Sequence, residues 1–343
     1  MKNWKETIVS SDKTIMDAIN ILEDIGSRIV LVCENQTKLI GTVSDGDIRR
    51  ALSKSLDLNL PIKAIVNKNP MTLGKRVSAA EFIKIYEKEG ILAIPILSKD
   101  GNVIDLQTLE RGKKSYENYI FLMAGGFGTR LHPLTLKTPK PLLKINEKSI
   151  IELIIDNFLN YGFINFIVST HYKSSQIKKF IKSLSKEGLN ITLIEEIKPL
   201  GTAGSLGLIP KDLTNLPIIL MNADLLTEIN FPEMLHFHNS NNFELTVAVR
   251  EFEYQLPFGE VKIDSSRIRA LREKPIYKHH VSAGIYILNK SIYTSVSGDE
   301  YLDITDLISK NVNAVEIGGF PIHESWIDIG RHDDLEKARK SLK

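Results

Sequence analysis

Several features are scarce in this chain of 343 residues, and each scarcity excludes a class of protein. The single cysteine, Cys33, cannot form an internal disulfide, which is typical of a reducing cytoplasm. The net charge is only +2 and no long basic run occurs, so a nucleic-acid partner is not expected. No apolar run reaches the roughly 18 residues of a membrane span, and the first ten residues lack the apolar core of a signal peptide. We therefore expect a cytoplasmic protein that binds neither nucleic acid nor membrane.

The first third of the chain is an imperfect repeat of a helix, two strands and a helix. The two copies bury both of their faces only if they pack against each other. Cys33 lies in a predicted core strand of the first copy. The elements predicted here are helices at 12–24, 45–52 and 78–89 and strands at 29–33, 39–43, 92–97 and 102–106.

The pattern changes after a polar segment, 110–118, which we interpret as a linker between domains 1–115 and 118–343. Strands then alternate with helices, which predicts an α/β domain whose sheet is mostly parallel, with helices on both faces. Ligands bind such sheets at the carboxyl ends of the strands. Strands are predicted at 119–124, 164–169, 191–195, 217–222, 245–250, 259–263 and 284–288, and helices at 149–161 and 173–184.

Three glycines crowd the turn that follows the first of these strands: Gly125, Gly126 and Gly128. Glycines let backbone amides approach an anion without obstruction from side chains. Two cations, Arg130 and Lys140, flank the turn. The combination predicts a phosphate-binding loop, although it lacks the Gly-Lys-Ser/Thr ending of a P-loop. The alternative is a turn that needs glycine for its geometry alone.

The segment Leu-Met-Ala-Gly-Gly-Phe-Gly-Thr-Arg-Leu-His-Pro-Leu-Thr from Leu122, with Pro-Lys-Pro-Leu-Leu from Pro139, resembles the signature of the sugar-1-phosphate nucleotidyltransferases. The resemblance covers 118–343 and implies a Rossmann-like domain. It also implies that a nucleoside monophosphate passes from an NTP, with GTP favoured, to a sugar 1-phosphate in a Mg²⁺-assisted in-line attack. Glucosamine 1-phosphate or a mannose-type hexose is favoured, for the synthesis of surface glycans or nine-carbon sugars. A uridylyltransferase of the same fold is an alternative.

The resemblance assigns the phosphate and metal contacts. Arg130 would stabilise charge at the α-phosphorus, and Lys140 would bridge the triphosphate and the incoming phosphate; surface salt bridges are the alternative. Asp224 in Met-Asn-Ala-Asp and Asp328 in Trp-Ile-Asp-Ile-Gly correspond to the metal ligands, although aspartates at strand ends are often turn or cap residues. The residues expected to cradle the triphosphate are Gly125, Gly126, Gly128 and Thr129.

The base and the sugar phosphate are expected at other segments of the resemblance. Glu196 would accept hydrogen bonds from guanine, and a helix opening at Gly201, Thr202 and Ala203 would offer its amides to the nucleotide; a helix N-cap at Thr202 with Glu196 in solvent is the alternative. In Glu273-Lys274-Pro, the lysine would bind the sugar phosphate and the glutamate a sugar hydroxyl; a solvated turn is the alternative. Ser282 occupies the place of the family's asparagine in Ser-Ala-Gly-Ile-Tyr.

Glu260 follows Gly259 where the family strand has an apolar residue. A carboxylate in a partly desolvated pocket is costly unless a cation meets it, and the amine of glucosamine 1-phosphate is such a cation. We therefore expect Glu260 to favour an amino sugar. The alternative is that strand alternation turns Glu260 towards solvent or Lys262.

The segment Gly41-Thr-Val-Ser-Asp-Gly-Asp47 resembles the end of a CBS motif, and the resemblance covers about 5–111. It implies an α+β CBS pair in which Ser44 and Asp47 hold the ribose of a regulatory nucleotide. A plain helix N-terminal charge is the alternative for Asp47. In the second copy Thr108 fits the motif, but Arg111 replaces the aspartate, so at most one such site per chain is expected. The pair is also expected to form a homodimer or a higher homo-oligomer.

The rival hypothesis from another class is a nucleotide-sensing protein whose transferase domain binds without reacting. Loss of any one of four charged residues would favour it, but all four are present: Arg130, Lys140, Asp224 and Asp328. The histidines form no metal-binding spacing, and His236 and His238 are expected at the surface.

Overall fold

The computed structural model describes residues 4–25, 28–108, 115–184, 186 and 188–341. Within these ranges, none of the helices combines the length and the apolar character needed to cross a membrane. The helices are α1 (Ile15–Ile25), α2 (Asp45–Ser53), α3 (Ala79–Glu89), α4 (Ile150–Asn160), α5 (Ser174–Ser183), α6 (Gly201–Gly204), α7 (Phe231–Ser240), α8 (Lys290–Tyr293), α9 (Ile304–Asn311) and α10 (His332–Ser341).

Apart from short 3₁₀ helices such as Thr129–Leu131 and Lys140–Leu142, the rest of the regular structure consists of strands. They are β1 (Ile8–Val9), β2 (Ile29–Glu34), β3 (Lys38–Ser44), β4 (Ala93–Leu97), β5 (Val103–Thr108), β6 (Tyr116–Met123), β7 (Lys144–Ile145), β8 (Lys148–Ser149), β9 (Phe163–Thr170), β10 (Asn190–Glu195), β11 (Ile218–Asn222), β12 (Leu225–Thr227), β13 (Leu245–Gln255), β14 (Glu260–Asp264), β15 (Arg267–Arg272), β16 (Ile276–Leu288), β17 (Ile317–Pro321) and β18 (Trp326–Asp328).

The two copies of the N-terminal repeat pack together as expected. The first copy forms the sheet β1-β2-β3, and the second contributes β4 and β5. Cys33 is buried in an apolar cluster with Leu31 of its own copy and Val103 and Leu106 of the other, so its prediction as a core residue is confirmed. The second helix of the second copy and Arg111 lie outside the described residues.

The C-terminal part is built on a seven-stranded sheet in the order β10-β9-β6-β11-β16-β13-β17. Only β16 runs antiparallel to its neighbours, which confirms the prediction of a mostly parallel sheet. Helices that connect parallel strands cover the sheet. Apolar clusters therefore lie on both of its faces. The carboxyl ends of β6 and β11 therefore lie side by side.

Two predictions need correction. The segment interpreted as a linker ends earlier than expected, because Tyr116–Asn118 already belong to β6. The strand predicted at 259–263 is β14, but it pairs only with β15 in a separate exposed hairpin rather than joining the large sheet. Its alternation of apolar and charged residues fits either location.

Candidate active site

The glycine-rich turn follows β6 and borders a cavity of about 310 Å³ at the carboxyl edge of the sheet. Gly126, Gly128, Thr129, Arg130, Lys140 and Asp224 line this cavity. They meet there because β6 and β11 are parallel neighbours, so the turns after both strands share one edge. The sequence prediction that these residues form one site agrees with the geometry.

The turn uses glycine for two different reasons. Gly128 has a φ of +64°, a conformation that residues with a Cβ rarely adopt. A Cβ on Gly125 would lie 2.9 Å from the Glu196 Oε1 atom. A Cβ on Gly126 would meet no heavy atom within 4 Å, so this glycine leaves its backbone open to the cavity.

Lys140 and Asp224 are joined across the cavity. The Lys140 ammonium donates to Asp224 Oδ2, and the lysine is only 8% exposed. Asp224 Oδ1 is buried and has no hydrogen-bond partner among the described residues. A buried carboxylate oxygen without a donor is costly, and a bound cation would satisfy it.

Asp328 lies beside Asp224 because β18 pairs with β12. In this ladder Asp328 is opposite Leu225, and the Ile329 amide donates to the Asp224 carbonyl at 3.1 Å. Burial, and then the Asp224 carboxylate, raise the pKa of Asp328, while Lys140 and Arg130 act in the opposite direction. The two carboxylates therefore repel each other in a partly buried place, which suits a divalent cation.

Arg130 is exposed and, within the described ranges, belongs to no ion pair. A Cβ on Gly330 would lie 3.4 Å from its guanidinium. The glycine that ends Trp-Ile-Asp-Ile-Gly thus leaves space for the arginine. Sequence reasoning missed this role, although the motif itself contained the signal.

Glu196 is buried rather than solvated, so the solvated alternative is wrong. Its carboxylate accepts hydrogen bonds from the Ser169 hydroxyl and, at 3.1 Å, from the Leu200 amide. The carboxylate borders Gly125, as expected near a nucleotide-binding loop. Both of its oxygens, however, already accept hydrogen bonds from groups of the protein. Its role as a guanine acceptor stays a prediction.

The helix expected at Gly201 is present, but its amides are not open to a ligand. The Thr202 amide donates to Asp303 Oδ1, and the amide of Ala203 donates to the Leu302 carbonyl at 2.8 Å. Gly201 has a φ of +76°, and a Cβ there would lie 2.6 Å from the Leu302 carbonyl oxygen. The expectation that the Thr202 and Ala203 amides bind the nucleotide is therefore wrong, whereas the role of Gly201 stays a prediction. The alternative of Thr202 as the N-cap is also wrong, because the N-cap is Leu200.

Four of the residues predicted to bind the sugar phosphate lie at the base of the β14–β15 hairpin: Gly259, Glu260, Glu273 and Lys274. Ser282 lies in β16, opposite Val249 of the large sheet. A Cβ on Gly259 would lie 3.3 Å from Glu273 Oε2, so these two residues are neighbours. Lys274 is exposed and, in the part of the chain that the structure describes, forms no ion pair. The Ser282 hydroxyl is 2.8 Å from the Tyr286 hydroxyl and 3.3 Å from the Gly284 amide, which donates to it.

Glu260 already has partners within the protein. Arg272 lies directly opposite in the hairpin, and a hydrogen bond from the Tyr277 hydroxyl to Glu260 raises the pKa of that tyrosine. The premise of an uncompensated carboxylate that awaits an amino sugar is therefore wrong, and so is the alternative of a partner at Lys262. The reason is that hairpin register decides which cation faces the carboxylate.

Ser44 and Asp47 form a capping box at the start of α2. Ser44 Oγ donates to Asp47 Oδ2 at 2.7 Å, and the Ser44 amide donates to the same oxygen at 2.8 Å. This confirms the reading of Asp47 as an N-terminal helix charge. Both residues also line a cavity of about 490 Å³ between the two parts of the chain, which Glu233 and His236 of the C-terminal part complete.

His238 corrects a sequence expectation. It is 1% exposed, with Nδ1 2.8 Å from the Thr246 hydroxyl and Nε2 3.0 Å from Asn289 Oδ1. Burial lowers its pKa. It is therefore a core residue that links α7 to the sheet, whereas only the adjacent His236 reaches a cavity.

Comparison with known proteins agrees with this two-part organisation. The sequence profile of the nucleotidyl transferase family matches residues 120–343, and that of the CBS domain matches residues 5–54. A mannose-1-phosphate guanyltransferase of Yarrowia lipolytica is 31% identical over 233 residues, covering 62% of this chain and 61% of that protein. A probable mannose-1-phosphate guanylyltransferase 1 of rice, Oryza sativa subsp. japonica, is 32% identical over 224 residues, with coverage of 62% and 61%. The chain thus spans about three fifths of the length of these relatives.

Solved structures resemble the C-terminal part. The crystal structure of HddC from Yersinia pseudotuberculosis is 25% identical with a TM-score of 0.52 and covers 66% of this chain and 100% of that one. A second structure of that protein, complexed with GMP-PN, is 23% identical with a TM-score of 0.53 and covers the same shares. These likenesses support the fold assigned to residues 120–343.

Proposed function

This chain belongs to the nucleotidyl transferase family, with a CBS domain fused at its N-terminal side, and on that premise we propose that it transfers a nucleoside monophosphate to a sugar 1-phosphate. The observation that carries the proposal is the cavity in which the glycine-rich turn, Arg130, Lys140 and Asp224 meet, with Asp328 on the strand paired beside Asp224. The names of the relatives support GTP as the donor and mannose 1-phosphate as an acceptor. Glucosamine 1-phosphate stays a second candidate acceptor.

The reaction needs positioning and charge stabilisation more than covalent help from the protein. A phosphate oxygen of the sugar 1-phosphate attacks the α-phosphorus, a new P–O bond forms, and the bond to the β-phosphate breaks to release pyrophosphate. Gly125, Gly126, Gly128 and Thr129 bind the triphosphate through their amides. Arg130, which has no ion-pair partner among the described residues, stabilises charge at the α-phosphorus.

Asp224 and Asp328 are the residues that would hold Mg²⁺. The fit rests on the unsatisfied Asp224 Oδ1 and on the raised pKa of Asp328. When bound, Mg²⁺ neutralises phosphate charge and orients the triphosphate. Lys140 pairs with Asp224 in this structure, and with substrates bound the lysine is expected to exchange that carboxylate for phosphate oxygens.

The acceptor is expected at the base of the β14–β15 hairpin. Lys274, which forms no ion pair with any residue that the structure describes, binds the sugar phosphate. Glu273, beside Gly259, accepts a hydrogen bond from a sugar hydroxyl. Glu260 borders the same segment, and Ser282 of β16 is a further proposed contact of the sugar. Because Arg272 already faces Glu260, we no longer expect Glu260 to select an amino sugar.

The N-terminal domain, 1–115, is proposed to regulate the transferase domain, 118–343. Ser44 and Asp47 border the larger cavity and are the proposed contacts of a regulatory nucleotide. A homodimer formed partly through this region and a cytoplasmic location belong to the same proposal. Calorimetry on the full chain, with Asp47→Ala as the comparison, tests the nucleotide site.

Pyrophosphate release over a matrix of four NTPs and several sugar 1-phosphates tests the catalytic proposal. We expect the highest rate with GTP and mannose or glucosamine 1-phosphate. UTP in place of GTP would identify a uridylyltransferase. Binding of NTP without turnover for any pair would favour the nucleotide-sensing rival.

A further inference from the structure

A buried ionic contact joins the N-terminal part to the segment that precedes the strand of Asp328. Arg49 of α2 is 5% exposed, and its Nη2 atom lies 2.5 Å from Glu324 Oε1 and 2.7 Å from Asp45 Oδ2. Its guanidinium also donates to the Pro321 carbonyl and stacks 4.0 Å from the Phe320 ring centroid. One side chain of the N-terminal part therefore binds the segment 320–324 through a ring, a carbonyl and a carboxylate.

A second contact binds the same segment. His323 Nε2 lies 2.6 Å from Asp45 Oδ1, on the first turn of α2. Glu324 also accepts from the His323 amide at 3.1 Å and from the Asn230 amide at 3.4 Å. Phe320 and Pro321 also end β17 in the large sheet, and the Ile322 amide donates to the Val249 carbonyl at 2.8 Å. The contacts with α2 therefore add to a position that the sheet defines at its start.

Segment 320–324 leads along the chain directly to the proposed metal site. After Glu324, the Ser325 carbonyl accepts from the Thr227 hydroxyl at 2.8 Å and from the Glu228 amide at 3.1 Å. β18 then runs three residues beside β12 and ends at Asp328. The strand pair is short, so the entry of the chain contributes to the placement of Asp328, together with the bond from Trp326 Nε1 to the Ala283 carbonyl at 2.9 Å and that from the Ile329 amide to the Asp224 carbonyl.

We propose that Arg49 is a positioning residue for nucleotidyl transfer: it holds segment 320–324 and so places Asp328 beside Asp224. The inference rests on the proposed function and extends it, because it makes a residue of the CBS domain part of the catalytic apparatus. A guanidinium suits this role because its planar fork serves two carboxylates and a carbonyl together.

The test compares three variants. Arg49→Met with Glu324→Gln removes the arginine and the carboxylate that it binds in segment 320–324, since loss of the arginine alone would leave Glu324 buried and unpaired. The other carboxylate, Asp45, keeps its contact with His323 Nε2 at 2.6 Å. Arg49→Lys keeps the positive charge but lacks the planar set of guanidinium donors. The control is Arg76→Ala, which removes an arginine that is 61% exposed and pairs with Asp105 at 2.6 Å within the N-terminal part.

Two quantities are measured on each full-length protein. One is Mn²⁺ binding in the presence of a non-hydrolysable GTP analogue, followed by electron paramagnetic resonance. The other is the Mg²⁺ concentration for half-maximal turnover, with the KM for sugar 1-phosphate. We expect the double variant to weaken Mn²⁺ binding and raise the Mg²⁺ midpoint roughly tenfold, as for other residues that orient metal ligands. The KM for sugar 1-phosphate should stay nearly unchanged, and Arg49→Lys should recover part of the loss.

A folded double variant with the Mn²⁺ affinity and Mg²⁺ midpoint of the control would overturn the proposal. If the double variant does not fold, the two single variants Arg49→Lys and Glu324→Gln are tested by the same titrations. An unchanged Mn²⁺ affinity and Mg²⁺ midpoint in both would count against the proposal. If the wild type itself releases no pyrophosphate, the proposed function fails, and the Mn²⁺ titration still decides whether Arg49 positions the carboxylates.

Discussion

Glu233 is expected to make the stability of the protein fall as the pH rises through neutrality. It lies in the first turn of α7, at the cavity between the two parts. Burial, and then the Asp45 carboxylate, raise its pKa to about 7 from 4.5, against the opposing effects of Arg49 and Arg28. The folded protein therefore retains a proton on Glu233 at pH values where the unfolded chain has lost it.

The sign and size follow from linkage. Between pH 4.5 and 7 the folded state binds more protons than the unfolded state, so the free energy of unfolding decreases with pH. The pKa of Glu233 is about 7 in the folded protein and 4.5 in the unfolded chain. The free energy of unfolding therefore falls by about 2.5 kcal/mol between pH 5 and pH 8. Glu233→Gln cannot titrate, so it lacks this loss.

Urea unfolding of the wild type and Glu233→Gln at pH 5, 6, 7 and 8 measures the effect. From pH 5 to pH 8, the free energy of unfolding of Glu233→Gln should rise by about 2.5 kcal/mol relative to that of the wild type. Glu147→Gln, at an exposed position of the same domain, is the control and should show no such trend. A difference between Glu233→Gln and the wild type that stays constant over this range would refute the reasoning, because it would mean that Glu233 ionises equally in both states.

The remaining predictions concern the candidate active site. Asp224→Asn and Asp328→Asn should each abolish pyrophosphate release while circular dichroism stays unchanged, since each removes charge but not volume; near-normal turnover at limiting Mg²⁺ would mean that the wrong carboxylate was chosen. Gly125→Ala should lower GTP affinity at least tenfold by calorimetry, because the new Cβ meets the Glu196 carboxylate at 2.9 Å; wild-type affinity would contradict this. Lys274→Ala should raise the KM for sugar 1-phosphate more than that for GTP, and the reverse order in steady-state kinetics would exclude its assignment.

The features that sequence predicted best are those set by short stretches of chain. The strands ending near Gly125 and Asp224 are continuous apolar runs, and parallel pairing of buried strands brings their ends together without further information. The alternative for Asp47, a charge at a helix N-terminus, is equally local, because the capping box that it forms with Ser44 spans four residues.

The features that sequence did not predict depend on distant partners. The amides near Thr202 point to Asp303, which is 101 residues away, so a glycine-rich helix start that seemed open to a ligand is closed by its own protein. His238 was expected at the surface because it forms no metal-binding spacing with His236, yet it is buried against Thr246 and Asn289. Glu260 was expected to lack a cation because the hairpin register that supplies Arg272 is not encoded in the strand alone.

The contact between Arg49 and Glu324 has a consequence for the order in which the molecule assembles. The two residues are separated by 275 positions along the chain. Domains fold from the N-terminus as they emerge during synthesis, so α2 forms while its carboxylate partner has not yet been made. The joining of the two parts is then a late step, and a chain that stops before residue 324 leaves the Arg49 guanidinium without the Glu324 carboxylate.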